Sequence, residues 1–340
     1  MGWLALAITT GAALAFDPAT PPTKPQDLTG MSLEELLHED IVPINVLGNH
    51  THLKGEIMVG YSYMYTDFGH NQNGTRDVSE AEVLQSYPVV HTHMTMQMHM
   101  IDLMYAPSDT LTLMAMIPFE QMTMEHLTRT GERPTAYSSG LGDLEFMALV
   151  NLLGNPRTMG QRLVLNAGLS VPTGSIDQTQ DGKQLEYTMQ LGSGTVDLLP
   201  GLTYLGESEN FDWGAQVLGV VRLGSNNNQY RLGDGYRISA WTQMKVFNWF
   251  GPSARLDWHG WGNIAGADPS MDPARNPAFD ANKQAGERLD FLLGVNFYIP
   301  HGPLKGNRFS VEGGIPLYQN IAGPNIAVDW MISFGWTYSF

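Results

Sequence analysis

Residues 56–66 read EIMVGYSYMYT, and this stretch alternates two kinds of side chain with a period of two. Apolar and aromatic side chains occupy the odd positions from Ile57 to Tyr65, while Glu, Gly, Ser, Thr and two Met share the even positions. Successive side chains of a β-strand point to opposite faces. The pattern therefore predicts a strand with one side suited to lipid and the other to a lumen.

The same alternation recurs along the rest of the chain. We expect eleven further strands, and together with the first they cover residues 55–67, 92–106, 109–124, 141–153, 161–173, 194–206, 211–223, 235–248, 251–264, 286–299, 307–318 and 325–340. Connections after every second strand are short, such as APSD at 106–109, whereas most of the others are long and polar, such as 67–91. Outer-membrane barrels have short turns on one side and long loops on the other.

The predicted fold is thus all-β: one 12-stranded antiparallel transmembrane β-barrel over residues 55–340. Its expected location is the bacterial outer membrane of a Gram-negative cell. An even number of strands places both termini in the periplasm.

The composition agrees with such a barrel and excludes several other classes. Charged residues make up 15% of the chain, against ~25% in soluble globular proteins, and no run approaches the ~18 apolar residues of a membrane helix. The net charge of −16 disfavours nucleic acid as a partner and is compatible with attracting cations. With no cysteine, the chain has no disulfide, thiolate metal site or cysteine nucleophile.

The two ends of the chain carry export and assembly signals. Residues 1–15 (MGWLALAITTGAALA) end in an A-x-A pattern and are expected to be a signal peptide. Residues 16–54 are predicted to be a periplasmic Pro-rich leader, in which Ser32 and Glu35 form a capping box that begins a short helix at Leu33–His38. The C-terminal SFGWTYSF, closing on Phe340, looks like the signal read by the barrel-assembly machinery. Expected partners are that machinery, outer-membrane lipids and lipopolysaccharide.

The polar phase of each strand gives a census of charges that face the lumen. Strands 1 to 4 and 6 contribute carboxylates without a Lys or Arg: Glu56, Asp102, Glu120, Asp143, Glu145 and Asp197. Strands 7 to 11 contribute the cations Arg222, Arg237, Lys245, Arg255, Arg288 and Arg308, beside Asp257, Asp290 and Glu312. One wall is therefore predicted to be acidic, and the opposite wall to be mixed and rich in cations.

Methionines concentrate on the acidic wall. The chain has 19 methionines, and twelve of them lie on the predicted inward face of their strands: Met58, Met64, Met94, Met96, Met98, Met100, Met104, Met114, Met116, Met122, Met124 and Met147. On strand 2 this phase leaves Thr95, Gln97 and His99 on the outward face. With Glu56, Asp102 and Glu120, the first eleven of these methionines are the predicted lumen and substrate path.

Thioethers are soft ligands that select Cu(I) or Ag(I) over hard cations. The candidate metal ligands are Met94, Met96, Met98, Met114 and Met116, joined by His91, His93 and His126 at the mouth. Cu(I) or Ag(I) is accordingly a candidate ligand or substrate, and no cofactor is required. The alternative is that Met, an adaptable side chain, simply packs a narrow lumen.

Nothing in the sequence points to catalysis. It holds no GxSxG with triad partners, no P-loop and no HExxH motif. We predict that the protein is not an enzyme, although His259 two residues after Asp257 on strand 9 is the one arrangement that invites such a reading.

Five segments of the sequence match a known pattern: HTHLKGEIMVGYSYMY (50–65), MTMQMHMIDLMYAPSDTLTLMAMIPF (94–119), SSGLGDLEFMALVNLL (138–153), LNAGLSVPTGSID (165–177) and LGSGTVDLLPGLTYLG (191–206). They resemble the Met- and His-rich outer-membrane "transporter" proteins related to the putative MetA-pathway of phenol degradation barrels. The wider group's label implies passage of hydrophobic or aromatic small molecules. Three functions remain open: a passive or gated channel for soft cations, a channel for such molecules, or a closed structural or surface-binding barrel.

Overall fold

A computed structural model of the chain describes residues 46–154 and 160–340. The predicted signal peptide and the predicted helix at Leu33–His38 lie outside these ranges. None of the helices within them is long and apolar enough to cross a membrane.

Strands account for most of the described chain. They are β1 (Ile57–Gly74), β2 (Arg76–Val78), β3 (Val89–Ser108), β4 (Leu111–Thr128), β5 (Thr135–Leu141), β6 (Leu144–Leu153), β7 (Gln161–Val171), β8 (Thr179–Gln180), β9 (Lys183–Gln184), β10 (Val196–Glu207), β11 (Phe211–Leu223), β12 (Tyr230–Arg231), β13 (Gly235–Met244), β14 (Phe250–Trp261), β15 (Ala265–Gly266), β16 (Gly286–Tyr298) and β17 (Asn307–Ser339). The helical segments are α1 (Glu80–Ser86), capped by Ser79, and 3-10 turns at Tyr187–Met189, Pro277–Phe279 and Ala281–Lys283.

Eleven of these strands form a closed antiparallel barrel. Their order around the wall is β17, β16, β14, β13, β11, β10, β7, β6, β4, β3 and β1, and β17 pairs back with β1. Each wall strand therefore lies between two neighbours, which removes the open edges of the sheet.

The predicted count of twelve is not confirmed, because one continuous strand stands where the pattern predicts two. β17 is 33 residues long. Its first part pairs with β16 up to Ile321, and its second part pairs with β1 from Ile321 onward. The tip stays extended and paired, so no loop separates the strands predicted at 307–318 and 325–340.

A second difference concerns the strand predicted at 141–153. It is interrupted at 142–143, where β5 ends and β6 begins. Both segments pair with β4, β6 along Leu111–Met116 and β5 along Phe119–Glu125. The interruption turns Asp143 toward a loop described below.

The connections divide the barrel into two ends, as the sequence predicts. At the turn end, residues 109–110 join β3 to β4 and residues 208–210 join β10 to β11. At the loop end, residues 172–195 join β7 to β10 and residues 262–285 join β14 to β16. These two long connections carry all three 3-10 turns of the described chain.

The two faces of β3 differ in character. Outward Ile101, Leu103 and Tyr105 are 43–47% exposed, whereas inward Met94 and Met104 are 4% and 2% exposed. A wall of exposed apolar side chains is the face that a barrel presents to lipid.

The outward polar side chains on β3 have tyrosine partners on β1. Tyr63 Oη donates to Gln97 Oε1 at 3.0 Å, and Tyr61 Oη lies 2.8 Å from His99 Nδ1. This pairing explains how Gln97 and His99 are accommodated on an otherwise apolar face.

Two apolar clusters fill the ends of the interior. The turn-end cluster comprises Val46, Met58, Met104, Met147, Leu149, Val164, Leu199, Leu205, Leu218 and Trp241. The loop-end cluster comprises Met94, Met122, Met124, Ala136, Leu185, Met189 and Leu191.

Candidate functional site

A cavity of about 580 Å³ occupies the interior between the two apolar clusters. Methionines and carboxylates of β1, β3, β4 and β6 line one wall, and arginines of β11, β13, β14 and β16 line the opposite wall. The contrast between an acidic wall and a cation-rich wall is the one that the strand phases predict.

The methionines of the first wall stand opposite one another across neighbouring strands. The rows are Met58–Met104–Met114–Met147, Met64–Met98, Met96–Met122 and Met94–Met124. Directly opposite residues of an antiparallel pair have Cβ atoms ~4.5–5.5 Å apart. Two or three thioethers can therefore approach a single ion at several levels of the lumen.

The predicted methionines fall into two groups with different surroundings. Those that line the cavity are Met58, Met64, Met96, Met98, Met100, Met104, Met114 and Met116. Met94, Met122 and Met124 are at most 4% exposed and pack in the loop-end cluster. Met331 on β17 also lines the cavity, and sequence reasoning missed it because it confined the methionine wall to the first four strands.

Three carboxylates lie among the cavity methionines. Asp102 and Glu145 both stand opposite Met116, and Glu120 stands opposite Met98. Asp102 Oδ1 is buried and has no hydrogen-bond partner within the described part of the chain. A buried unpaired acceptor is costly, and a proton or a bound cation would satisfy it.

Four arginines of the opposite wall, on β11, β13, β14 and β16, pair with carboxylates. Arg255 donates to Glu312 at 2.6 and 3.0 Å and also contacts Asp257, which in turn pairs with Arg237. Further pairs join Arg222 to Asp197, Arg288 to Asp290, and Lys245 to Glu207 and Asp212. These ion pairs stabilise the cation-rich wall. Lys245 forms its ion pairs at the turn end and does not line the cavity.

His259 belongs to this ion-pair network. Its Nε2 lies 3.5 Å from Asp290 and 3.7 Å from Asp257. Ser239 donates to Asp257 instead of to the imidazole, which is not the serine–histidine order of a catalytic triad.

Residues 46–54 run inside the turn end of the barrel. Val46 is 2% exposed within the turn-end cluster, Gln216 Nε2 donates to the Leu47 carbonyl at 2.7 Å, and Asn166 Nδ2 donates to the Gly48 carbonyl at 3.1 Å. Beyond them, the His52 N–H donates to Thr112 Oγ1 at 3.0 Å. The segment closes the cavity at the turn end of the barrel.

Glu56 does not line the cavity. It accepts from the Leu53 N–H at 2.8 Å and lies 3.3 Å from His52 Nδ1. The structure therefore places it in the turn that leads from the 46–54 segment into β1, away from the other predicted lumen carboxylates.

Loop 172–195 folds onto the inner face at the loop end, and Asp143 holds it. Asp143 Oδ1 accepts from the Gly174 N–H at 2.9 Å, and Oδ2 accepts from the Ser193 N–H and hydroxyl at 2.8 and 2.7 Å. The loop then sets Leu191 against the cavity and Met189 into the loop-end cluster.

The mouth histidines separate into different environments. His91 on β3 stands opposite His126 on β4, and both approach Glu186 of loop 172–195, with Nε2 atoms 2.9 and 3.8 Å from its carboxylate. His93 instead contacts Asp67 at 3.0 Å. Sequence reasoning missed Glu186, which lies 95 positions from His91.

The pKa of the Glu186 carboxyl is set by burial and by its two imidazole neighbours. Burial raises the pKa of its carboxyl, but the imidazoles of His91 and His126 lower that pKa more, and it lies well below its usual range. The three side chains therefore form a buried cluster in which the carboxylate depends on its imidazole partners.

Comparisons with solved structures agree with the fold. The chain is similar to the COG4313 outer membrane channel from Pseudomonas putida F1, with a TM-score of 0.63 and 13% identity over 88% of this chain and 100% of that chain. The KdgM porin (TM-score 0.40, 9% identity, 83% and 99% covered) and the NanC porin (0.40, 5%, 81% and 98%) are more distant. No protein-family model and no curated protein sequence matches. At 13% identity, the likeness to the first of these shows the fold alone, an outer-membrane type of β-barrel.

Proposed function

We propose that the protein is an outer-membrane channel that conducts soft monovalent cations, Cu(I) or Ag(I), along its methionine wall. The observation that carries the proposal is the pair of cross-strand methionine rows that line the cavity, Met58–Met104–Met114 and Met64–Met98, with Asp102, Glu120 and Glu145 beside them. Thioethers select soft ions, and neighbouring carboxylates supply the charge that neutral sulfur lacks.

Outer-membrane insertion with both termini in the periplasm belongs to the same proposal. We treat the two parts of β17 as two passes of the wall, which restores twelve crossings. Hydrogen bonds between the two parts support this interpretation. Gln319 Nε2 donates to the Val328 carbonyl at 2.9 Å, and Gln319 Oε1 accepts from the Val328 N–H at 3.0 Å. The turn end then faces the periplasm. The assembly machinery recognises the C-terminal Phe340 and inserts the barrel among lipids and lipopolysaccharide.

A soft cation that leaves through the turn end must displace residues 46–54. The segment is held by single hydrogen bonds to side chains and by burial of Val46. Such contacts can be released without breaking any strand pairing of the wall, so the channel is gated.

Hydrophobic or aromatic small molecules are the second candidate substrate. The loop-end cluster of Met94, Met122, Met124, Leu185, Met189 and Leu191 offers an apolar entrance that favours them, and the resemblance to the MetA-pathway barrels implies them. A closed structural barrel is the third candidate, since the turn-end cluster fills one end of the interior.

Methionine-to-leucine variants separate these candidates because leucine keeps volume and apolarity but has no sulfur. We predict that a Met96→Leu, Met98→Leu, Met100→Leu, Met116→Leu variant loses at least about tenfold in Ag⁺ affinity and flux, since loss of mere supporting groups already costs 10–100-fold at metal sites. Ag⁺ binding is measured by competition with a chromogenic chelator, and flux is measured in proteoliposomes.

The matched control is Met94→Leu, Met122→Leu, Met124→Leu, which makes the same chemical change in the packed loop-end cluster. It should keep Ag⁺ affinity and flux near those of the parent. The hypothesis of a channel for aromatic solutes replaces ours if the cavity variant binds and passes Ag⁺ like the parent and phenol passes through both proteins. If neither Ag⁺ nor phenol crosses, the closed-barrel reading holds.

A further inference from the structure

Three metal-ligating side chains converge at the loop end of the barrel, outside the cavity lining. One ligand atom from each of His91, His126 and Glu186 lies within 4.8 Å of the others. His91 and Glu186 are 2% and 3% exposed, and the imidazole rings of His91 and His126 are 5.2 Å apart between centroids.

The groups around this cluster orient it as a metal site requires. The Nδ1 of His126 lies 3.3 Å from the Pro134 carbonyl, so Nδ1–H donates there and Nε2 is left to face Glu186. Asn276 is 1% exposed, and its Nδ2 donates to Glu186 Oε2 at 3.0 Å. Metal-ligating histidines and carboxylates are typically held in this way by a second ring of hydrogen bonds.

The cluster joins four parts of the chain that are distant in sequence. His91 lies on β3, His126 on β4, Glu186 in loop 172–195, and Asn276 in loop 262–285. A second cavity, of about 320 Å³, is lined by His126, Glu186 and Asn276 and gives a small ion access to the site.

We propose that His91, His126 and Glu186 bind one divalent ion of borderline softness, such as Zn²⁺, and that this ion clasps loop 172–195 to the barrel rim. Two imidazoles and a carboxylate are a typical Zn²⁺ ligand set, and Asn276 extends the clasp to loop 262–285. The site contains no sulfur, so it is distinct from the Met path and does not depend on what the cavity conducts.

The competing state has no metal and a protonated imidazole paired with Glu186. A direct binding measurement on the full-length protein, purified in detergent through a tag without histidine and stripped with a chelator, decides between them. We expect one Zn²⁺ per chain by calorimetry, and Co²⁺ should give the visible absorption of a four-coordinate site.

Variants assign the binding to these residues. His126→Gln and Glu186→Gln should each lower Zn²⁺ affinity at least about tenfold, and Asn276→Ala, which removes a supporting hydrogen bond, about 10–100-fold. His93→Gln and His70→Gln are the matched controls at the same rim, because those imidazoles contact Asp67 and Asp329. Equal losses in the controls, or no stoichiometric Zn²⁺ on the parent, overturn the proposal.

The clasp itself is tested on the parent protein, so a variant that fails to fold does not decide the outcome. Zn²⁺ should slow amide hydrogen exchange and proteolytic cleavage in loop 172–195, and a chelator should reverse both effects. The same measurement on His126→Gln, with folding checked by heat-modifiable migration in gels, should show no response to Zn²⁺. Zn²⁺ binding without protection of the loop would leave a metal site but reject the clasp.

Discussion

At the scale of single residues, Asp143 explains why three short motifs of the sequence belong together. GLGD contributes the carboxylate, VPTG contributes the Gly174 N–H, and LGSG contributes Ser193. Gly192 completes the junction, because a Cβ there would lie 2.4 Å from the Gly174 carbonyl oxygen. Only glycine permits that approach of two backbone segments.

We expect Asp143→Asn to destabilise the folded loop. Asparagine keeps one carbonyl oxygen for donors that now share two carboxylate oxygens, and each buried donor left without an acceptor costs about 1–3 kcal/mol. The urea midpoint should fall and loop 172–195 should become sensitive to protease. Asp181→Asn removes the same charge from an exposed turn of that loop and should change neither; an equal effect there would mean that charge, and not Asp143's hydrogen bonds, holds the loop.

At the scale of elements, the barrel interior is closed by segments that are not strands. Residues 46–54 fill the turn end, and loop 172–195 covers Met94, Met122 and Met124 at the loop end. Both segments are held by side-chain hydrogen bonds and apolar contacts, in contrast to the continuous backbone pairing of the wall. They are therefore the parts of the molecule that can open without unfolding it.

Replacing Val46 with serine should favour the open channel. Burying a valine side chain is worth about 1.5–3 kcal/mol, which corresponds to roughly 10–100-fold in the ratio of closed to open states. Single-channel recordings in planar bilayers should show a correspondingly larger open fraction. Lys54→Ser alters the same segment at an exposed position and should gate like the parent. Identical gating in the Val46 variant would show that the segment does not close the pore.

The sequence predicted the wall well and its contents poorly, for a physical reason. A period of two fixes which face each side chain takes, so inward Met96 and Met98 and outward His99 follow from β3 alone. What covers a face depends on contacts between distant segments: Glu186 reaches His91 across 95 positions, and Asn166 reaches Gly48 across 118. No local pattern encodes such contacts. The strand count differed for a related reason, since pairing with both β16 and β1 keeps the tip of β17 extended although its Gly, Pro and Asn residues predict a turn.

At the scale of the whole molecule, the lumen is electrically asymmetric. On one wall, four arginines are paired with Asp197, Asp257, Asp290 and Glu312. The methionine wall places Asp102, Glu120 and Glu145 beside the cavity with no opposing Lys or Arg on β1, β3, β4 or β6. The carboxylates of the methionine wall should therefore dominate the potential that a permeating ion meets.

Neutralising that wall should reduce selectivity for cations. We predict that Asp102→Asn, Glu120→Gln, Glu145→Gln shifts the reversal potential in a salt gradient toward zero, with the shift largest at low ionic strength, where screening is weakest. The control Glu132→Gln, Asp181→Asn, Glu209→Gln removes the same charge from exposed positions outside the lumen and should leave the reversal potential unchanged. A parent channel that is already unselective would contradict the asymmetry argument.

The closure of β17 onto β1 also has a consequence for biogenesis. The Ile57 N–H donates to the Phe340 carbonyl at 3.0 Å, and the Phe340 N–H donates to the Ile57 carbonyl at 2.9 Å. The seam of the cylinder is thus made by the two most distant parts of the wall, a pairing of very high contact order. Until this last pairing forms, the nascent sheet has two unpaired edges that another strand can join. We therefore expect a protein that shields both edges to remain bound until β17 has paired with β1.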